Sequence, residues 1–261
     1  MAIAQTITND VADMIYDLEI NGATEFRTAA VRRKIAEAKR ANIAEGEMLE
    51  GMLHAVLGDY ARANEFHSSA ISKRPGDLVL LINHGISLKK LGDFSRAYEI
   101  FKKCCELDPS AEMATQHLIS TVVVSGKLSE AIPLVNRYVK LAGSSSLHEE
   151  IELFETLVEN LKATGIEEKD FQRFTTKAEE LMRKYAVAAR QYGSAVMVFE
   201  GEPYLLLDLD VPLGGRQLAK LNDEFSAAVV EDEHLDHCWD KLIINFGNSF
   251  GMDAAPAGAC K

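Results

Sequence analysis

One phrase recurs along the chain at a fixed step, and that step limits what the chain can fold into. Leu57-Gly58-Asp59-Tyr60 is followed by Ala63, Ala70 and Pro75. Leu91-Gly92-Asp93-Phe94 is followed by Ala97, Cys104 and Pro109. Ser125-Gly126-Lys127-Leu128 is followed by Ala131, Tyr138 and Gly143. The turn glycines and the alanines after them recur with one and the same step. A regular step of this length means stacked helix pairs, each burying a face that it cannot bury alone. The glycine permits a positive φ between antiparallel helices. The alanine lets the two backbones approach. The proline starts the next connection, where no amide donor is needed. First helices are expected over 44–57, 78–91 and 112–125, and second helices over 61–72, 95–107 and 129–141.

These residues resemble the tetratricopeptide repeat, a family with two antiparallel helices in each repeat of about 34 residues. The family's small residue in the first helix is matched by Gly51 and Gly85, with Ile119 in the third repeat. Its second-helix alanine is matched by Ala63, Ala97 and Ala131, and its closing proline by Pro75 and Pro109. The early tryptophan position holds Glu47, Leu81 and Thr115, and Gly143 stands where the last proline belongs. The second repeat is the strongest match and the third the weakest.

Around the repeats the periodicity changes twice. Residues 1–43 read as a helical cap. Val11, Met14, Ile15 and Leu18 lie on one face, and a second helix over 24–41 has Phe26, Ala30, Ile35 and Ala38 as expected inner residues. After a serine linker at Ser144-Ser145-Ser146, with Ser146 and Glu149 spaced as a capping box, flanking helices are expected over 147–161 and 167–190. From Tyr192 the pattern turns to strands over 195–199 and 204–211. A helix over 216–230 and a third strand over 241–246 follow, so one sheet face is expected under one helix. The expected architecture is mostly α: a tetratricopeptide-like α-solenoid followed by a small α+β domain of strand, strand, helix, strand. Its segments are a cap at 1–43, repeats at 44–143, flanking helices at 144–191, the small domain at 192–247 and a disordered tail at 248–261.

Charge narrows the partners. The formal net charge of −12 argues against a nucleic-acid backbone as ligand. The cationic run on 24–41, with Arg27, Arg32, Arg33, Lys34, Lys39 and Arg40, reads as a solvated helix face, with a docking patch for an acidic partner as the alternative. No uncharged apolar run is long enough to suggest a membrane span. The four cysteines include the adjacent pair Cys104-Cys105 and do not form a disulfide framework. The first ten residues lack the features of a signal peptide. A reducing, cytoplasmic setting is expected.

What the repeats imply about function follows from the resemblance. In the family, inner faces of the first helices line a groove. Here that wall is expected to include Met48, Met52, Val79, Asn83, Ile86, Lys89, Lys90, His117 and Ser120. The wall is largely apolar, with methionines that can repack around differing shapes. It offers little to a terminal carboxylate, which some family members clamp with several basic residues. An amphipathic or apolar protein segment is therefore the expected partner, with self-filling or a second copy of the chain as the alternatives. The function expected is non-enzymatic protein binding, as an adaptor, a chaperone-like holder or a neutralising partner, with no cofactor.

The competing expectation is a regulatory receptor or enzyme subunit whose C-terminal domain carries a ligand or metal. Asp208 and Asp210 share one side of a strand, which half-burial alone explains. His234, His237 and Cys238 are metal-ligand types on one loop, but need a further ligand from elsewhere. The plainer reading is a polar loop, with Trp239 capping the small core. No serine elbow, phosphate loop or dinucleotide fingerprint is found, so no catalytic residue is expected.

Overall fold

In the computed structural model, which describes residues 2–142 and 147–248, the chain is mostly α with a small three-stranded sheet near its C-terminal end. It divides into two compact units, Met1–His117 and Leu118–Lys261. The expected linker serines 144–146 and closing residue Gly143 lie outside the described residues, as does the expected tail from 249 onward. No described helix is long and apolar enough to cross a membrane.

The first unit stacks helix pairs. They are α1 (Ala2–Asn21) with α2 (Glu25–Ala41), α3 (Ile43–Val56) with α4 (Tyr60–Lys73), and α5 (Leu78–Lys90) with α6 (Phe94–Leu107). The unit closes in the first part of α7 (Glu112–Ser125). Val11, Ile15 and Leu18 of α1 meet Val31, Ile35 and Ala38 of α2 and Met48, Leu49 and Leu53 of α3 in one buried cluster. The cap is thus a helix pair without the turn phrase. Thr24 caps α2 by accepting a hydrogen bond from the Arg27 amide, and the helix buries Thr28, Val31, Ile35 and Ala38. Phe26, expected inside, falls off that face and is 81% exposed.

The recurring phrase does more than turn the chain. Gly58 and Gly92 adopt φ of +75° and +78°. The aspartate after each caps the following helix: Asp59 Oδ1 accepts from the Arg62 amide at 3.1 Å, and Asp93 Oδ1 from the Arg96 amide at 3.2 Å. Tyr60 at the first turn donates its hydroxyl to Asp93 Oδ2 at the second, so one carboxylate caps its own helix and links two repeats. Within each repeat the helices touch where the first has no side chain. A Cβ on Gly51 would sit 2.6 Å from the His67 ring, and one on Gly85 2.6 Å from the Phe101 ring. His67 and Phe101 hold the same place in their repeats, each at the same offset from its glycine.

The second unit takes up the rest of α7 and α8 (Leu128–Ala142), α9 (His148–Thr164) and α10 (Glu168–Lys184). It then adds β1 (Gln191–Phe199), β2 (Glu202–Asp210), α11 (Gly215–Val230), the 3-10 turn η1 (Glu233–Leu235) and β3 (Leu242–Gly247). Gly126, φ +71°, faces α10: a Cβ there would be 2.7 Å from the Gln172 backbone and from Thr175 Oγ1. Ser129 donates its amide to Glu168 at 2.9 Å. Lys127 has no carboxylate to offer as a cap, which is the physical content of the weak third match.

The helix expected over 167–190 ends instead at Lys184. Ala186 takes φ of +53°, its amide bonds to Arg183 and the Val187 amide to Met182, a helix stop normally built on glycine. The freed residues let Arg190 donate to the Asp210 carbonyl and the strand begin at Gln191. Glu200 and Gly201, both at positive φ, make the tight hairpin turn from β1 to β2. β2 is central: β1 pairs with it antiparallel and β3 parallel, through the α11 crossover.

Leu205, Leu207 and Leu209 pair with Leu242, Ile244 and Phe246, and all six are buried. The sheet is covered by more than the one helix expected: α9 packs on β1 and β2, and α11 and α10 on β3. Asn222 of α11 exchanges two 2.9 Å hydrogen bonds with the Phe246 backbone, satisfying polar groups at the β3 edge.

Two substitutions test this account by chemical denaturation. Asp93→Ala removes a cap and the Tyr60 partner together, and is expected to cost about 2–3 kcal/mol, against about 1 kcal/mol for Asp59→Ala. Equal losses would show that the link between turns contributes nothing. Gly85→Ala is expected to destabilise by about 1–3 kcal/mol through overpacking, despite alanine's better helix propensity, and Phe101→Leu in the same chain should recover part of it. A more stable Gly85→Ala protein would contradict the close approach.

Candidate functional site

The expected groove residues are distributed unevenly between core and surface. Met48 is buried in the cluster with α1, so it is core and not accessible wall. Met52 is half-buried against the same cluster. Val79 on α5 is 57% exposed, and Met113, its counterpart in the next repeat on α7, is 56% exposed. Asn83 is half-buried and donates to the Val79 carbonyl at 2.8 Å, one turn back in its own helix. Ile86 is half-buried. Lys90 pairs with Glu19 of α1, so its charge is matched within the chain. Burial pushes the Lys89 ammonium down to about 8. Ser120 belongs to the second unit, where it is half-buried.

Behind this face lies a row of histidines, of which sequence reading singles out His117 alone. His67 stacks on His84 with ring centroids 5.0 Å apart, and His117 stacks on Phe101 at 5.1 Å. His67 Nε2 meets Ser87 Oγ at 2.8 Å, and His84 Nε2 meets Asn64 Oδ1 at 3.1 Å. The amide oxygen only accepts, so His84 carries its proton on Nε2. Neither Nδ1 has a hydrogen-bond partner among the described residues. An unpaired lone pair there costs less than a buried, unpaired N–H, so the same tautomer is assigned to His67. Burial drives His67 down to about 3, with His84 adding to the effect. Burial, then Arg96, holds His84 near 4, and burial, then Lys89, holds His117 near 4.

The second unit gathers a different set. Asp232 caps η1 through the His234 amide and is clasped by Lys177 of α10 at 2.8 Å and Arg173 at 3.5 Å. Lys177, first, holds the Asp232 carboxyl below its ordinary range. This clasp seats the following loop against the first turn of α10. There His237 Nε2 lies 2.9 Å from Asp170 Oδ2. Ligand atoms of Asp170, His237 and Cys238 all fall within 4.8 Å of one another. Asp170 and Cys238 are buried, while the His237 side chain is 59% exposed. Burial, then Asp170, pushes the Cys238 thiol up to about 11.

Of the three loop residues singled out from sequence, His234 is outside this group. Trp239, expected to cap the core, is 53% exposed. Asp208 and Asp210 do not act as a pair: Asp208 is exposed and accepts from Asn245 at 2.8 Å, while Asp210 is buried at the strand end. Asp170 escapes sequence reading because it precedes His237 by 67 residues, and nothing local marks it.

No protein-family model matches the chain. Among solved structures, an O-GlcNAc transferase mutant from Thermobaculum terrenum is similar at 18% identity over 53% of this chain, with a TM-score of 0.39. The match spans 26% of that protein's chain. The repeat assignment therefore rests on this chain's own residues and their packing.

The buried histidines fix a pH response. Their folded values lie below the ordinary 6.5, so the unfolded chain binds protons that the folded one refuses. Stability is complete above pH 6.5 and falls as pH drops from there toward 4, with a slope that reaches about 1.4 kcal/mol per pH unit for each histidine. His67→Phe, which copies Phe101 at the same repeat position, should flatten the profile of unfolding free energy across that acidic range. An unchanged slope would show that His67 titrates normally.

Proposed function

We propose that the helix pairs are tetratricopeptide repeats and that the chain is a binding module, not an enzyme, holding a segment of another protein on the first-helix face. The observation that carries this reading is the pair Val79 and Met113. They occupy the same position in successive repeats, and both stand more than half exposed as apolar side chains. Solvent gives no reason to repeat such a choice, whereas a ligand that contacts these two repeats in turn does. Met52 and Ile86, equivalent to each other in successive repeats, are half-buried apolar residues. The pairing of Lys90 with Glu19 and the half-burial of Lys89 make this face less suited to an anionic terminus. The partner suited to this wall is an amphipathic helix or an extended apolar segment.

A reducing cytoplasmic setting fits the same reading, since Cys104, Cys105 and Cys238 are buried free thiols. An adaptor or a chaperone-like holder would both use this face.

Photo-crosslinking from position 79 in native extract, followed by affinity measurement with the captured partner, tests the proposal. Val79→Asp with Met113→Asp is expected to weaken that partner at least tenfold while leaving the thermal midpoint within a few degrees. Phe26→Ser, on an exposed apolar residue of α2, should leave affinity unchanged. Undiminished binding by the double variant would overturn the assignment of this face.

A further inference from the structure

We propose that Asp170, His237 and Cys238 bind one divalent transition-metal ion of borderline softness, with zinc the best fit. The three side chains come from two places held in register. Asp170 is fixed in the first turn of α10. His237 and Cys238 follow η1, whose cap Asp232 is clasped by Lys177 and Arg173 of that same helix. Two further backbone bonds tighten the loop, from the Cys238 amide and the Trp239 amide to the Leu235 carbonyl. The donor atoms therefore do not have to be collected from a mobile chain. They already lie within 4.8 Å of one another. Ligand atoms around a tetrahedral zinc are separated by about 3.3–3.8 Å, given bond lengths of about 2.0–2.3 Å, so the donors need to close by no more than about 1 Å.

The donor set selects the ion. One sulfur, one nitrogen and one oxygen suit zinc and its cobalt substitute, whereas magnesium and calcium prefer oxygen alone. Charge points the same way. Asp170 is a buried carboxylate whose one side-chain hydrogen-bond partner among the described residues is a largely exposed imidazole. A divalent ion with Asp170 and a Cys238 thiolate is neutral. Glu167 and Asp240, and Lys169 and Lys241, lie within electrostatic reach of Cys238 and cancel one another. Binding sends the thiol proton to solvent and changes no oxidation state. Three protein ligands leave a fourth position on the exposed His237 side for water or a small ligand.

The test uses the full chain, reduced and stripped of metal, titrated with cobalt and then zinc. A sulfur-to-cobalt charge-transfer band should saturate at one equivalent and vanish as zinc displaces cobalt. His237→Ala should weaken cobalt at least tenfold, and circular dichroism of the metal-free variant separates this from loss of fold. Cys238→Ser should abolish the band. His234→Ala should retain it, and so should Cys260→Ser, which removes a thiol outside the described residues. Absence of a band at micromolar protein and metal would overturn the site. So would a band that survives Cys238→Ser, or an affinity unchanged by His237→Ala.

Discussion

The first unit depends on a glycine in one helix accepting a ring from the next. Gly51 receives His67 and Gly85 receives Phe101, at distances a methyl group could not share. Ring burial of this kind is the main apolar gain available to an isolated helix pair, and it fixes the axial register of the two helices. Everything outward follows from that register: which side of α5 faces α3, where Val79 emerges, and where the turn places its aspartate. The third repeat substitutes Ile119 and Val135, both buried, for the glycine and the ring. Two branched aliphatic side chains there replace one ring fitted against a glycine.

The histidines are a consequence of the same geometry. A ring is required opposite Gly51, and a histidine there brings a polar edge into the core. Ser87 and Asn64 supply the partners, and His84 supplies a stacking face. The result is acid sensitivity in a region with no evident need of it. Phe101 shows that a purely apolar ring serves the same position.

Much of this is legible in the sequence, and the misses have specific causes. The repeat bounds follow from glycine and aspartate, which have local reasons to be where they are. Phe26 is misplaced by hydrophobicity alone, because it lies off the stripe of Thr28, Val31, Ile35 and Ala38 that packs on the neighbouring helices. The end of α10 is misread because Ala186 occupies a backbone conformation normally marked by glycine or asparagine. The sheet's three covering helices are hidden, since α9 and α10 look from sequence like continuations of the solenoid. At the candidate metal cluster the loop residues His237 and Cys238 are visible, but Asp170 is not. A ligand set assembled across 67 residues leaves no periodic trace. Within the expected groove, Met48 and Lys90 have the right repeat positions, yet the packing of α1 claims both.

The bond from Tyr60 to Asp93 reaches from one turn to the next, and so does Arg96, which donates back to the Tyr60 hydroxyl. A helical array is ordinarily a row of near-independent bricks, each free to open beside folded neighbours. Here the carboxylate that starts α6 is also held by the preceding brick, so opening either one leaves the other its own cap but strips it of the bonds between turns. The two repeats are coupled through their turns as well as through their packed helices. Pulled from its ends, the chain should therefore part these two repeats at a higher force than the same chain lacking the Tyr60 hydroxyl.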